Sequence, residues 1–399
     1  MIQEEFQRPM HILNRLIDQG YEAYFVGGAI RDMLLERTIG DVDIATSAQP
    51  EEVMNLFSKT VPVGIEHGTV VVLLQDTPYE VTTFRMDEEY VDYRRPKEVT
   101  FIKSLHEDLK RRDFTMNAIA MDREGVLIDP FEGQASIQKR LIQTVGDPSE
   151  RFHEDALRML RAVRFHSQLS FQVEADTLLG IKKNAEHLKH VSIERITTEF
   201  EKILKGKSCH TALALIIETG LVDYIVNVNN YKDQLMKWEK VDTSLLLTRA
   251  ELWALFCYFL QVKDCESFLM SWKLPTKVIK QTTLIVDSLV YIQKHGWTKI
   301  LMYKLGIDLA LSTERVKLIV QHQHAQNTLD IFKETYMSLP IFSRTDLQVK
   351  GTDIIMWSKQ SPGPWVAKTI ERIEEAVVNG KIRNDKEQIK EWLNTCNLL

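Results

Sequence analysis

The chain has 399 residues, 44% hydrophobic and 27% charged, with a net charge of −6. This is ordinary for a globular protein of two to four domains and too long for one compact core, which excludes a disordered or fibrous chain. No run reaches the roughly 18 apolar residues of a membrane span, the start MIQEEFQRPM has no basic-then-apolar leader, and Cys209, Cys257, Cys265 and Cys396 lack CxxC spacing; a cytoplasmic protein without zinc or a disulfide framework is expected.

Residues 1–22 predict a helix with Phe6, Ile12, Leu13 and Leu16 along its apolar stripe. YEAYFVGG follows as a strand entering a turn, AIRDMLLER as a helix, DVDIAT as a second strand and EEVMNLF as another helix. GTVVVLLQD and YEVTTFR are β-rich runs separated by Thr-Pro, which predicts a hairpin turning there. AIAMDREGVLID predicts a strand, a turn and a strand ending at DPFEG. Residues 1–146 are therefore expected to form a mixed α/β domain. Past Gly146-Asp147-Pro148 the pattern is helical almost throughout, as in DALRMLRAVRFHSQL, ITTEFEKIL, LTRAELWALFCYFL and ERIEEAVV, with no fixed-period repeat. The predicted class is α+β, with helical parts at 147–208, 209–295 and 296–399.

Four short constellations carry chemistry. In DVD, Asp41 and Asp43 stand two residues apart, so on a strand they share a face about 6.6 Å apart while Val42 and Ile44 turn away. Carboxylates so placed suit one or two magnesium ions, which prefer oxygen ligands and commonly bind substrate phosphates too. In a two-metal site such ions lie roughly 3.5–4 Å apart and clamp the attacking and leaving oxygens. Glu80, in YEVTTFR, is a candidate third carboxylate. Alone, DVD fits a turn or a surface strand equally well.

Gly27-Gly28 ends a predicted strand and opens a helix, where backbone N–H groups can approach a phosphate closely, and Arg31 follows within reach of the same anion. There is no Walker A pattern and no G-x-G-x-x-G, which disfavours P-loop and dinucleotide-binding chemistry. In KRRDFTMNAIAM, Phe114, Ile119 and Met121 are expected to pack, and Arg112 offers a second forked guanidinium for a triphosphate.

RFHEDALRMLRAVRF, residues 151–165, predicts a continuous helix. Met159, Ala162, Val163 and His166 form its packed stripe, and Glu154, Arg158 and Arg161 share another face. Internal Glu–Arg pairing explains those charges, and so does an acid and an arginine displayed to read a base. Cytosine and adenine each present an amino donor beside a ring-nitrogen acceptor, which Asp155 and Arg158 would complement. Uracil and guanine present the reverse and would leave buried polar groups unpaired. From Lys182 to Lys207 there are seven Lys/Arg against four Glu, a surplus that fits either a phosphate backbone or a solvated face.

In this order, FVGGAIRD…GDVDIAT, KRRDFTMNAIA and RFHEDALRMLRAVRF resemble the signature of the bacterial-type tRNA nucleotidyltransferases, the CCA-adding enzymes of the polymerase beta-like nucleotidyltransferase superfamily. The likeness is close over residues 20–170 and looser at PGPWVAKTIERIEEAVVNGKIRN. It implies a nucleotidyltransferase head with a mixed sheet (1–146), then an all-helical neck (147–208), body (209–295) and tail (296–399) that hold the tRNA acceptor arm. It further implies addition of C, C and A to the tRNA 3′ end from CTP and ATP, with Mg2+, and a homodimer.

Position by position, Asp41 and Asp43 match the metal-binding carboxylates, and Gly28, Arg31 and Arg112 match positions holding phosphates and sugar. Asp155 and Arg158 match the base-reading pair, with Arg161 and Arg164 on the same helix, and Glu80 fits the third-carboxylate slot. MDEEYVDYRRPKEVTF resembles the loop that switches the site from C to A, and DPFEG resembles the hinge between head and neck. Poly(A) polymerases and enzymes adding only CC or only A share most of these motifs. A catalytically inactive RNA-binding module on the same fold is the alternative of another class.

Overall fold

The computed structural model describes residues 3–87, 90–91, 95–96, 99–238, 241–323 and 326–398. Much of the loop at 86–101 to which the switching role was assigned lies outside the described residues. The chain divides into two compact units, Met1–Lys240 and Val241–Leu399. No described helix is long and apolar enough to cross a membrane.

The first unit is built on a seven-stranded mixed sheet. In chain order its strands are β1 (Ala23–Val26), β2 (Asp43–Thr46), β3 (Thr60–Val61), β4 (Thr69–Leu74), β5 (Thr77–Thr83), β6 (Ala120–Met121) and β7 (Leu127–Ile128). Their spatial order is β7-β6-β1-β2-β5-β4-β3. All neighbours are antiparallel except β2 and β5, which run parallel. That parallel pair makes the sheet mixed, as expected.

Alternation along the strands separates two faces. Phe25, Ile44 and Val81 are fully buried on one face, where the ring of Phe6 lies 5.0 Å from that of Phe25. The predicted N-terminal stripe of Phe6, Ile12, Leu13 and Leu16 is likewise fully buried. The expected single helix is two, Glu4–Gln7 and α1 (Met10–Asp18), because Pro9 cannot donate to a helix running through it. On the other face Val26, Ala45 and Ala120 pack with Phe84, Leu105, Leu109 and Val145. Asp43 and Glu80 occupy the polar end of this second face.

Two further local expectations are corrected. The β4–β5 hairpin turns at Gln75-Asp76, whose φ values are 50° and 61°, and Thr77-Pro78 lies inside β5. Positive φ at both central residues gives the primed turn that matches strand twist, and Asp tolerates it. The expected helix over 151–165 is broken at Asp155 (φ −142°, ψ 101°). It becomes α4 (Pro148–Glu154) and α5 (Leu157–Leu169), after α2 (Gly28–Leu34) and α3 (Leu105–Lys110) earlier in the first unit. The Asp155 carboxylate accepts the Leu157 N–H at 3.1 Å, ending one helix and starting the next. Behind α5 lies α6 (Ile193–Leu204).

The regular elements described in the second unit are all helices. Trp253 packs edge-on to Trp272 at 4.8 Å, and Ile354, Ile373, Val377, Ile389 and Leu393 form part of a second apolar cluster. Pro364 opens the helix Pro364–Val378 at a position where its missing N–H costs nothing.

Candidate active site

β2 begins at Asp43, and Asp41 is exposed on the approach to it, so the two carboxylates share a strand edge rather than a strand. Register supplies the third. Ile44 pairs with Val81 across the parallel β2–β5 ladder, so one step back Asp43 stands beside Glu80. Burial, then Glu80, then Asp41 push the Asp43 carboxyl up to about 6 against the opposing pull of Arg112. An all-oxygen set whose central carboxylate is so reluctant to stay charged fits a hard divalent cation. Among the described residues no group of three or more His, Cys, Asp or Glu could hold a metal ion by itself. A cation here would rest on Asp41 and Asp43 and complete its shell from substrate or water.

Val26 pairs with Asp43, which brings the glycine turn alongside. Of the two glycines, Gly27 carries a positive φ of 76°. A Cβ there would stand 3.1 Å from Arg112 Nη1 and 3.9 Å from Asp43 Oδ2, so a side chain would intrude between cation and anion.

Arg31, Arg111 and Arg112 are held in place by Asp108, Asp32 and Asn117, which the sequence reading missed. Asp108 on α3 accepts Arg111 Nη2 at 2.7 Å and Arg112 Nη2 at 3.2 Å. Burial works to raise the Asp108 pKa, but Arg111 and Arg112 outweigh it and hold it below the usual value. Arg31 donates to Asp32 at 2.9 and 3.0 Å and to Asn117 Oδ1 at 2.7 Å. Asn117 in turn donates to buried Asp113 at 3.0 Å. The i, i+3 and i, i+4 spacing from Asp108 to the arginine pair was visible in the sequence. The long-range Arg31–Asn117 contact left no signal.

Above the sheet, α5 contributes Arg158, Arg161 and Arg164. Arg161 donates through Nε to Asp113 at 2.7 Å, and Arg164 pairs with Glu199 of α6 at 2.7 Å. Burial draws Arg164 down to about 10, which leaves it charged at neutral pH. The ring of Phe165 gathers Arg31, Arg161 and Arg164, their guanidinium carbons 5.1, 5.8 and 4.1 Å from its centroid. The Arg158 backbone N–H donates to the Asp155 carbonyl at 3.0 Å. Asp155 holds Arg195, while Arg158 donates to Glu154, to the Arg151 carbonyl at 3.2 Å and to the Arg111 carbonyl at 2.9 Å.

All ten residues singled out from the sequence, Gly28, Arg31, Asp41, Asp43, Glu80, Arg112, Asp155, Arg158, Arg161 and Arg164, line one cleft of about 960 Å³. Acid on the sheet faces guanidinium on the helices across it, a polarity suited to a cation on one side and a polyanion on the other. The class that this fold and cleft define is the nucleotidyltransferases.

Residues 23–143 match the family described as the poly A polymerase head domain. Residues 170–228 match a probable RNA and SrmB-binding site of polymerase A, and 246–393 a putative tRNA nucleotidyltransferase domain 2. A CCA-adding enzyme of Geobacillus sp. (strain WCH70) is 47% identical over 100% of this chain and 99% of its own. One of Bacillus cereus (strain AH820) is 46% identical over 99% of this chain and 100% of its own. The chain belongs to the CCA-adding enzymes. Among solved structures, the Bacillus stearothermophilus CCA-adding enzyme in complex with CTP has a TM-score of 0.94 at 45% identity, covering 99% of this chain and 98% of that one.

Proposed function

We propose that this chain adds C, C and A to the 3′ end of tRNA from CTP and ATP in the cytoplasm, releasing pyrophosphate. The observation that carries this reading is the convergence of all ten motif residues on one cleft with carboxylates at its floor and guanidinium groups above. In the same reading residues 1–146 are the catalytic head, 147–208 the neck that reads the base, and 209–295 and 296–399 the body and tail that grip tRNA.

Asp41 and Asp43 would hold Mg2+, which when bound supplies positive charge that favours deprotonation of the tRNA 3′-hydroxyl and steadies the phosphoryl oxygens. Arg31 and Arg112 draw the β- and γ-phosphates toward the Gly27 turn, so the charge leaving with pyrophosphate develops against fixed donors. Their anchors, Asn117 and Asp108, keep these guanidinium groups from reorganising during the reaction.

Asp155 accepts the exocyclic amine of C or A. Of the roughly four acceptor positions of a carboxylate, the described contacts from Arg195 and the Leu157 N–H take two on Oδ1 and one on Oδ2, so Oδ2 is the oxygen that turns to the base. Arg158 offers a donor to the ring nitrogen beside that amine. No template enters the choice.

The test is incubation with tRNA lacking its CCA end and labelled CTP, ATP or both, resolved on a gel. Addition of two residues with CTP alone and three with both is expected. Only CC, only A, or a long A tract identifies the corresponding partial enzyme or a poly(A) polymerase, and no product leaves an inactive RNA-binding module.

A further inference from the structure

The sheet presents more polar side chains to the cleft than nucleotide binding uses. Thr82 follows Glu80 by two residues on β5 and so faces the same way. Thr69 on β4 stands directly opposite Thr82 in the antiparallel register. Their hydroxyl oxygens lie 3.1 Å apart, and both residues line the cleft with Glu80.

Their place in the strand order gives them a role. Gly27, at the end of β1, and Arg112 beside it lie on one side of Asp43; β5 and then β4 lie on the other. In-line displacement at phosphorus puts the entering oxygen and the leaving pyrophosphate on opposite sides of the reacting atom. With pyrophosphate drawn toward Gly27, Arg31 and Arg112, the attacking hydroxyl must arrive over β5 and β4. We propose that Thr82 and Thr69 seat the terminal ribose of the tRNA acceptor strand by hydrogen bonding its 2′-hydroxyl. This rests on the reading of the cleft given above.

The chemistry matches. Two hydroxyls that share one hydrogen keep a second O–H and several lone pairs, which suits a ribose hydroxyl that both donates and accepts. They are also neutral, so the acidic row of Asp41, Asp43 and Glu80 does not continue under an incoming phosphodiester. Beyond them Arg85, whose guanidinium donates to the His67 carbonyl, lines the same cleft and suits the phosphate of that last nucleotide.

The test is a cycle between protein and RNA hydroxyls, run as single-turnover C addition to tRNA ending in ribose or in 2′-deoxyribose. The full-length enzyme is compared with the double variant Thr69→Val/Thr82→Val, in which isosteric side chains keep the strands packed. We expect the unmodified enzyme to lose about tenfold on the deoxy acceptor, the double variant to lose the same factor on the ribose acceptor, and no further loss when both hydroxyl sets are removed. Thr69→Ser/Thr82→Ser, which keeps the hydroxyls, should restore the preference for ribose. Equal use of both acceptors by the unmodified enzyme overturns the proposal, as do losses that simply multiply. Asp43→Ala run in parallel separates the two levels. If it still adds nucleotides, the reading of the cleft has failed; if it is inactive while the losses multiply, only the ribose seat has.

Discussion

Arg195 grips Asp155 with two nitrogens, Nη1 at 3.2 Å from one carboxylate oxygen and Nη2 at 2.7 Å from the other. A carboxylate clamped this way cannot rotate to offer a different pattern to a base. In the proposed reading, base selectivity then depends on a residue 40 positions away and on another helix. Arg195→Met should leave transfer measurable but admit UTP and GTP, with selectivity falling about tenfold or more. Incorporation of each of the four nucleoside triphosphates, measured singly, checks this. Equal slowing of CTP and ATP with no misincorporation would show that the ion pair merely supports the helix.

Asp43 is raised from 3.8 to about 6, chiefly by burial and then by Glu80. The folded state therefore binds this proton more tightly than the unfolded chain does. The cost of keeping the carboxylate charged is complete above about pH 6 and disappears as pH falls toward 3.8. In chelator, Asp43→Asn should be the more stable protein at pH 7.5, by about 1–2 kcal/mol once solvent screening is allowed for. The gain should vanish near pH 4. Thermal melts at both pH values decide it, and a variant less stable than the parent at pH 7.5 contradicts a carboxyl raised by burial and by Glu80.

The sequence made legible what depends on local spacing: six of the seven sheet strands (the two-residue β3 was missed), the Gly27-Gly28 turn, the helical character of the acid–arginine stretch and ten of the residues lining the cleft. It was silent where tertiary contacts decide. The 151–165 stretch has helical periodicity throughout, but Asp155 leaves the helix to cap the next one, and periodicity carries no trace of that exchange. The i, i+4 pairing of Glu154 with Arg158 was one of the two readings the sequence offered for these charges, whereas the Asp155–Arg195 pair, 40 residues apart, left no signal in it. Phe165 sat unremarked among the arginines of α5. Its part as the common surface for three guanidinium groups, one of them from α2, exists only once both helices are in place.

Asp41 is exposed and forms none of the described ion pairs, so its removal should cost the fold little. Asp41→Ala should abolish addition of both C and A, with tRNA affinity and melting temperature close to those of the parent. Gel-shift binding and the labelled-nucleotide assay, run on one preparation, test both halves. Retained turnover would remove Asp41 from the cation site.

Gly27 is the position where backbone conformation and electrostatics meet. A Cβ at φ 76° is strained in itself, and it would press on Arg112 Nη1 at 3.1 Å. Arg112 gives way by loosening its Nη1 contact to the Asn117 carbonyl, at 3.4 Å, or its Nη2 hold on Asp108 Oδ2, at 3.2 Å. Gly27→Ala should therefore raise KM for both CTP and ATP about tenfold or more, because phosphate contacts are common to the two nucleotides. Discrimination against UTP and GTP should be unchanged, since Asp155 and Arg195 are untouched. Steady-state kinetics with each triphosphate read both quantities. A loss confined to one nucleotide would place Gly27 at the base rather than at the phosphates.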